Sequence, residues 1–539
     1  MAPSLPRALA RLQQDLHRFD AAGHAAKFAA LQAAASAALV AKPVLADYHD
    51  ALLFVHANPG DAATQRLVQR EFGRIAAFLR QRRGKVPAAL ENRGLPFADT
   101  VTRFSHDCAR WLLAHPQAKA AFESFEVPKL DLNDVLRLTL PSLERNETTA
   151  ALAPLELLDA LRVEPARRLR FLVDELARLD AQPYVKDRLY DSLDVWVRVR
   201  PTSPAFSWSG NRLPGVRPYL QRELLRRFDP LQLMNQPLPA ARELDAEGAL
   251  AIALRVKNSL ALTVRETDPG SYLDVRALRV HDLDRGLSVV TYGMTPDRQL
   301  PLESYVGFTL FKNGIAAAYG GAWLLGPRAA FGMNIFEPLR GGESGTMMCQ
   351  VLRVYRQLFG VRFFEVDAHQ FGLDNPDGIA SGAYWFYYRH GFRSLDPALA
   401  RLAERERERL ASRPGLRSAE KTLVVLTGSN VALNFGGPVP TPLFDLTTPV
   451  TRLVQRRYRG DRAAAERDCC ARFVAAAAGA LPAPPSDDER RVLAEVALVA
   501  AAAPITDARR LGLLARMVSV KPVDVYGYQR LWLDYFGEG

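Results

Sequence analysis

The feature that most restricts the fold of this chain is a pair of apolar runs joined by Asn313-Gly314. Ser304-Tyr-Val-Gly-Phe-Thr-Leu-Phe-Lys312 precedes the dipeptide, and Ile315-Ala-Ala-Ala-Tyr-Gly-Gly-Ala-Trp-Leu-Leu325 follows it. Both central residues of a type I′ turn need positive φ, which Asn-Gly supplies, so the sequence predicts a long β-hairpin. A third run, Ala329 to Phe336, ends in Glu337-Pro-Leu-Arg-Gly-Gly-Glu-Ser-Gly345. Beyond it Met347, Met348, Val351, Leu352, Tyr355, Leu358 and Phe359 recur at helical spacing, which predicts an amphipathic helix. A further strand, Val361 to Val366, leads through a turn-rich loop to the aromatic segment 382–392. The unit is thus strand, hairpin, strand, glycine-rich turn, helix, strand, helix, with a place to hold phosphate at the start of the first helix.

A chain of 539 residues is too long for one ordinary core and implies about two to four domains. The hydrophobic share of 48% and charged share of 24% are those of a soluble globular protein. A net charge of +11 permits a polyanionic ligand without naming one. Biased genome composition explains the excess of arginine over lysine as well as a nucleic-acid role does. Cys108, Cys349, Cys469 and Cys470 have no metal-ligand spacing and form no small-protein disulfide framework, which points to a reducing compartment. No apolar leader opens the chain, and the Ala-rich segment 492–503 is too short to span a bilayer. The expectation is a cytoplasmic protein with no membrane partner.

Residues 1–198 read as a helical N-terminal domain, with apolar residues spaced by three and four in Leu9–Leu16, Ala25–Ala41, Thr64–Arg83 and Phe104–Ala114. Its histidines lie at no metal-ligand spacing, so no metal is expected. Residues 199–218, rich in proline and glycine, read as a linker, with Phe206 and Trp208 suited to packing against a neighbour. Short helices are expected at Tyr219–Arg227 and Ala240–Asn258, then strands at Val275–Val280 and Leu287–Tyr292. The second domain spans 219–398, with its core at 304–395. Residues 399–539 read as a helical C-terminal region, broken by a spacer at Ala480–Pro485 and reopened by the capping box Ser486…Glu489. Thr422–Phe435 fits a late strand and a buried helix equally. The basic run Arg452–Arg462 fits a solvated helix face better than a nucleic-acid contact. The expected class is α+β: a central mixed, mainly antiparallel sheet with helices, flanked by all-α regions.

The central unit resembles the GCN5-related N-acetyltransferase fold. Arg340-Gly-Gly-Glu-Ser-Gly345 is similar to that family's pyrophosphate loop, Arg/Gln-x-x-Gly-x-Gly/Ala, and Ala383-Tyr-Trp-Phe-Tyr387-Tyr-Arg-His-Gly-Phe392 to its late-helix signature, Ala-x-x-x-Tyr-x-x-x-Gly-Phe. The resemblance covers about 90 residues, or about 150 if 249–294 supply the opening helix and strand. It implies acyl transfer from acetyl-CoA or another acyl-CoA to the amine of a small molecule or protein. Arg340, Gly341, Gly342, Ser344, Gly345 and Thr346 would hold the pyrophosphate. Backbone amides near Asn334 and Ile335 would grip the carbonyl and pantetheine arm, and Tyr387 would protonate the departing thiolate.

Candidate bases are Glu337, at the end of the preceding strand, and Asp367 or His369, which alternate with Glu365 on one face of an extended segment. The same residues also suit a solvated strand end. Two positions depart from the family pattern: Glu343 stands where a loop glycine is usual, and Ala380 where an asparagine is common. Two other readings keep the fold: a Fem-type aminoacyl transferase, in which tRNA would be the donor, and a non-catalytic binding module.

Overall fold

A computed structural model of the protein describes residues 4–537, apart from 226, 414, 478–480, 482–484, 504 and 506. The hairpin forms as the sequence requires. Asn313 and Gly314 adopt φ of 47° and 81°, and β6 (Ser304–Lys312) pairs antiparallel with β7 (Ile315–Leu325). Nearly every residue of both strands is buried, because helices cover the sheet. Before them come β4 (Leu273–Leu283) and β5 (Leu287–Met294), and after them β8 (Arg328–Ile335), β9 (Phe363–Val366), β10 (Arg393–Ser394) and β11 (Val431–Asn434). The eight strands form one sheet in the order β10-β11-β9-β8-β7-β6-β5-β4. Only β8 and β9 run parallel. The chain is α+β.

The N-terminal region is not all helical. It holds α1 (Leu5–Asp15), α2 (Ala21–Ala35), α3 (Pro43–Ala57) and α4 (Ala62–Arg80), but also a second sheet. In that sheet β1 (Thr100–Arg103) and β2 (Ala118–Phe125) flank β3 (Val195–Pro201). Val195, Val197 and Val199 point inward while the residues between them point out, a period of two that helical neighbours obscure in the sequence. β2, with three alanines among its eight residues, is held extended by its pairing with β3, a tertiary override of helix propensity. Helices α1–α4 share the core of the large sheet, whereas β1–β3 and the helices around them enclose a smaller core.

Segment 199–218 begins inside β3 and then packs firmly. Trp208 is buried and its indole N–H donates to the Ala316 carbonyl at 3.1 Å. No helix forms among the described residues of 219–227. That segment instead runs past the end of the hairpin, where its backbone and Tyr219 serve as partners for Asn313, Arg285 and Glu343. α5 (Ala246–Leu262) follows and packs on β4.

Between β8 and β9 runs α6 (Ser344–Phe359), and between β9 and β10 run α7 (Pro376–Ser381) and α8 (Ala383–Arg389). Segment 422–435 proves to be helix then strand: α9 (Pro397–Ala411) and α10 (Glu420–Leu426) precede β11, so the sheet draws its last strand from beyond residue 398. Among the described residues, five helices follow: α11 (Leu443–Tyr458), α12 (Arg462–Ala476), α13 (Asp487–Ala502), α14 (Ala508–Val520) and α15 (Val525–Phe536). They enclose a core of their own, and α15 also lies on β7. The Ser486–Glu489 capping box is formed. The expected spacer falls mostly outside the described residues. All four cysteines are free, and no helix among the described residues is long and apolar enough to cross a membrane.

Candidate functional site

The site grows from the way β8 and β9 part. They pair only from Arg328–Ala330 to Phe363–Glu365, yet β8 continues to Ile335. Antiparallel ladders alternate bonded and non-bonded pairs, and the bond from Phe336 N to Ala317 O at 3.0 Å sets the phase. Asn334 therefore directs its backbone groups toward Tyr319 on β7. Met333 and Ile335 direct theirs to the side that β9 has vacated. The Ile335 carbonyl accepts Arg340 Nε there at 3.1 Å. Of the two amides singled out in the sequence, that of Ile335 faces the vacated side, together with that of Met333, whereas that of Asn334 faces β7.

The glycine-rich turn follows directly. The backbone N–H groups of Gly341 through Thr346 make no hydrogen bond among the described residues outside the helix, and α6 has no side-chain cap. A helix start with bare amides is an anion seat, since the uncapped dipoles concentrate positive charge there. Arg340 and Gly341 are exposed, Gly342, Ser344 and Gly345 half-buried, and Thr346 buried with an unpartnered hydroxyl. Glu343 does not face this seat. Its carboxylate is buried and turned inward, accepting Arg285 Nε at 3.0 Å, Gln221 Nε2 at 2.9 Å and the Leu225 amide at 2.7 Å. Lys312, fully buried, stands 3.5 Å away. These donors, chiefly the Arg285 hydrogen bond, hold the Glu343 carboxyl below its usual range against the cost of burial, while burial lowers Lys312 to about 8. Glu343 is thus paired with Arg285 and Lys312 in the interior and leaves the glycine-rich turn without a facing carboxylate of its own.

Two neighbours crowd the turn and a third touches it. A Cβ on Gly341 would come within 2.7 Å of the His17 ring, and one on Gly342 would lie 3.7 Å from Phe54. A Cβ on Gly345 would overlap His390, the residue that ends α8. His390 is anchored by a 2.6 Å hydrogen bond between its Nδ1 and the Phe386 carbonyl, and burial lowers its pKa. Gly345→Ala should therefore reduce stability by about 1–3 kcal/mol through overpacking, measured by urea unfolding, and His390→Ala in the same chain should restore most of the loss.

Tyr387 lies one helical turn before His390 on α8, and its ring packs against Phe371 of the turn after β9 and Phe392 before β10. It is 4% exposed, enclosed by Phe371, Phe386 and Phe392, and its hydroxyl has no hydrogen-bond partner among the described residues. Burial pushes its pKa above the usual phenol range, so it is a protonated hydroxyl at neutral pH. His390 is the residue the sequence reading missed. Its signal was its place three after Tyr387 and next to Gly391.

Among the candidate bases, Glu337 is exposed just past β8, in the turn that leads to Arg340, and makes no ion pair among the described residues. Asp367 and His369 do not sit on a strand face. β9 stops at Val366, and Asp367 caps a 3-10 turn, Ala368–Phe371, by accepting the His369 amide at 2.9 Å. His369 Nδ1 bonds the Leu373 carbonyl at 2.8 Å. Glu365 pairs with Arg328 and accepts Asn430 at 2.7 Å. The polar stripe is therefore a strand-end cap, built because a short strand leaves its last groups to be satisfied by the following turn.

Elsewhere, His106, Asp107 and Asp187 bring ligand atoms within 4.8 Å of one another. The Arg298 guanidinium bridges the two carboxylates, and Tyr272 donates to Asp187 at 2.9 Å, so a side-chain cation already fills that place.

No family model matches the chain, and neither a curated protein nor a solved structure matches it.

Proposed function

We propose that this protein is an N-acyltransferase that takes an acyl group from acetyl-CoA or another acyl-CoA and transfers it to the amine of a small molecule or protein in the cytoplasm. The observation that carries the reading is the run of unbonded amides from Gly341 to Thr346, at the end of a strand that parts from its parallel neighbour. The strand order also supports the resemblance to the GCN5-related fold, with β11 inserted between β10 and β9. The residues at hand suit the four needs of the reaction. The bare amides and Arg340 bind pyrophosphate, and the Met333 and Ile335 amides polarise the thioester carbonyl. Glu337 accepts the amine proton as the nitrogen attacks and the C–N bond forms. As the C–S bond breaks, the Tyr387 hydroxyl gives its proton to the thiolate. Asp367 and His369, committed to the cap, have no part in this scheme.

Isothermal titration with CoA and acetyl-CoA tests it. Binding is expected in the micromolar to millimolar range, and Arg340→Glu, at an exposed position, should weaken it by about tenfold or more by reversing the charge at the phosphate seat. The crowding of the turn by His17 and His390 favours a second reading, a non-catalytic module whose glycines serve packing. Absence of CoA binding at millimolar concentration would favour that reading, and binding of aminoacylated tRNA in its place would favour the Fem-type one.

A further inference from the structure

Between β10 and β11, neighbours in the sheet, the chain inserts α9 and α10. The register fixes where they stand. Ser394 pairs with Val431, and Val431 with Val366 at the end of β9. The insertion therefore sits at the same end of the sheet at which β8 and β9 separate. Between it and segment 372–389 lies an open cavity of about 990 Å³, at the upper end of the size range of small-ligand sites.

Its walls are mainly apolar, formed by Leu373, Ile379, Trp385, Leu416, Leu423 and Val424. Leu373, Leu416 and Val424 leave 45%, 37% and 52% of their surface in water although they line a concavity. The Trp385 ring is pinned by a 2.9 Å hydrogen bond from its Nε1 to Ser418 Oγ. No atom lies within 4 Å of the place a Cβ on Gly382 would occupy, so that wall is open space.

Arg389 and Arg417 share the lining, and neither has an ion pair or hydrogen bond among the described residues. The lining carboxylates, Asp374 and Glu420, have local settings that account for them. Glu420 stands in the first turn of α10, where negative charge is favoured, and Asp374 occupies a left-handed turn position with φ of 51°. Arginine can lay its aliphatic stem along an apolar wall and hold its head at the mouth. Two guanidinium groups that make no ion pair among the described residues, beside an uncovered apolar floor, match one ligand chemistry. We propose that this cavity binds an amphiphilic anion, a single apolar chain lying on Leu373, Trp385 and Val424 with its carboxylate or phosphate head on Arg389 and Arg417. The proposal does not depend on the acyltransferase reading.

Calorimetric titration of the full chain with decanoate, decyl phosphate, decyltrimethylammonium and decyl maltoside, all below their micellar concentrations, tests it. One or both anions should bind about tenfold or more tightly than the cation and the neutral detergent. Their order distinguishes a carboxylate from a phosphate head. Arg389→Glu with Arg417→Glu, both at exposed positions, should abolish that preference. Val424→Asp should weaken every chain-bearing ligand. CoA titration of the same variants should be unchanged, which separates this site from the turn at Gly341. Equal affinity for anion and cation, an unaltered preference in the double arginine variant, or no binding of either anion would overturn the proposal.

Discussion

Glu343→Ala should lower the folding stability of this protein by about 3–5 kcal/mol in urea unfolding, the cost of breaking a buried ion pair from one side. The substitution leaves the Arg285 guanidinium and the fully buried Lys312 ammonium without their shared carboxylate, and takes from Gln221 and the Leu225 amide their acceptor. Those partners come from the hairpin, from the β4–β5 turn and from segment 219–225, so the loss should be felt as cooperative destabilisation rather than as local fraying. Lys312→Met should be milder, because Glu343 retains Arg285. The sign of the pH dependence follows from the lowered carboxyl pKa. In the unfolded chain the group titrates near 4.5, and in the folded chain below that. Its stabilisation is therefore complete above about pH 4.5 and is lost as pH falls through the folded value. Glu343→Gln should flatten this acid limb, and an unchanged limb would remove the carboxylate from the account.

Tyr387→Phe should reduce acyl transfer about 100-fold, equivalent to about 2.7 kcal/mol of transition-state stabilisation, with CoA affinity unchanged. The assay is thiol release from acetyl-CoA in the presence of a panel of amines. Removing a hydroxyl that has no hydrogen-bond partner should leave stability unchanged or slightly raised. That combination separates a chemical role from a packing role, since a packing residue would alter stability and turnover together. Tyr388→Phe is the control. Its hydroxyl donates to Glu404 on α9, away from the turn, so its loss should affect stability and spare turnover. Equal turnover in Tyr387→Phe and the wild type would leave Tyr387 as core alone.

The hairpin, the third strand and the helix after Arg340 were legible because each carries a strong local signal. Asn313-Gly314 admits few alternatives to its turn, and the switch from period two to three-and-four spacing after residue 340 marks a change of element. The glycines of the turn and the phase that pairs Tyr387 with Gly391-Phe392 were likewise visible. The strip Glu365, Asp367 and His369 misled because alternation continues past the true end of β9. Where a strand stops is decided by what its neighbour offers for pairing, and β11, its partner there, comes from beyond residue 430. β2 and β3 were lost among helices for the same reason, their pairing partners lying about 70 to 80 residues apart in sequence.

The sequence by itself determined the class of fold, the hairpin at its centre and the glycine-rich start of α6, all consequences of short-range sterics and periodicity. Tertiary structure alone decided what surrounds that start. It turned Glu343 inward to Arg285 and Lys312, seated His17 and His390 on the glycines, and set α9 and α10 over an open apolar cavity. Charge pairing and close approach depend on which distant segments meet. No local pattern encodes that meeting; it is fixed only when the whole core packs.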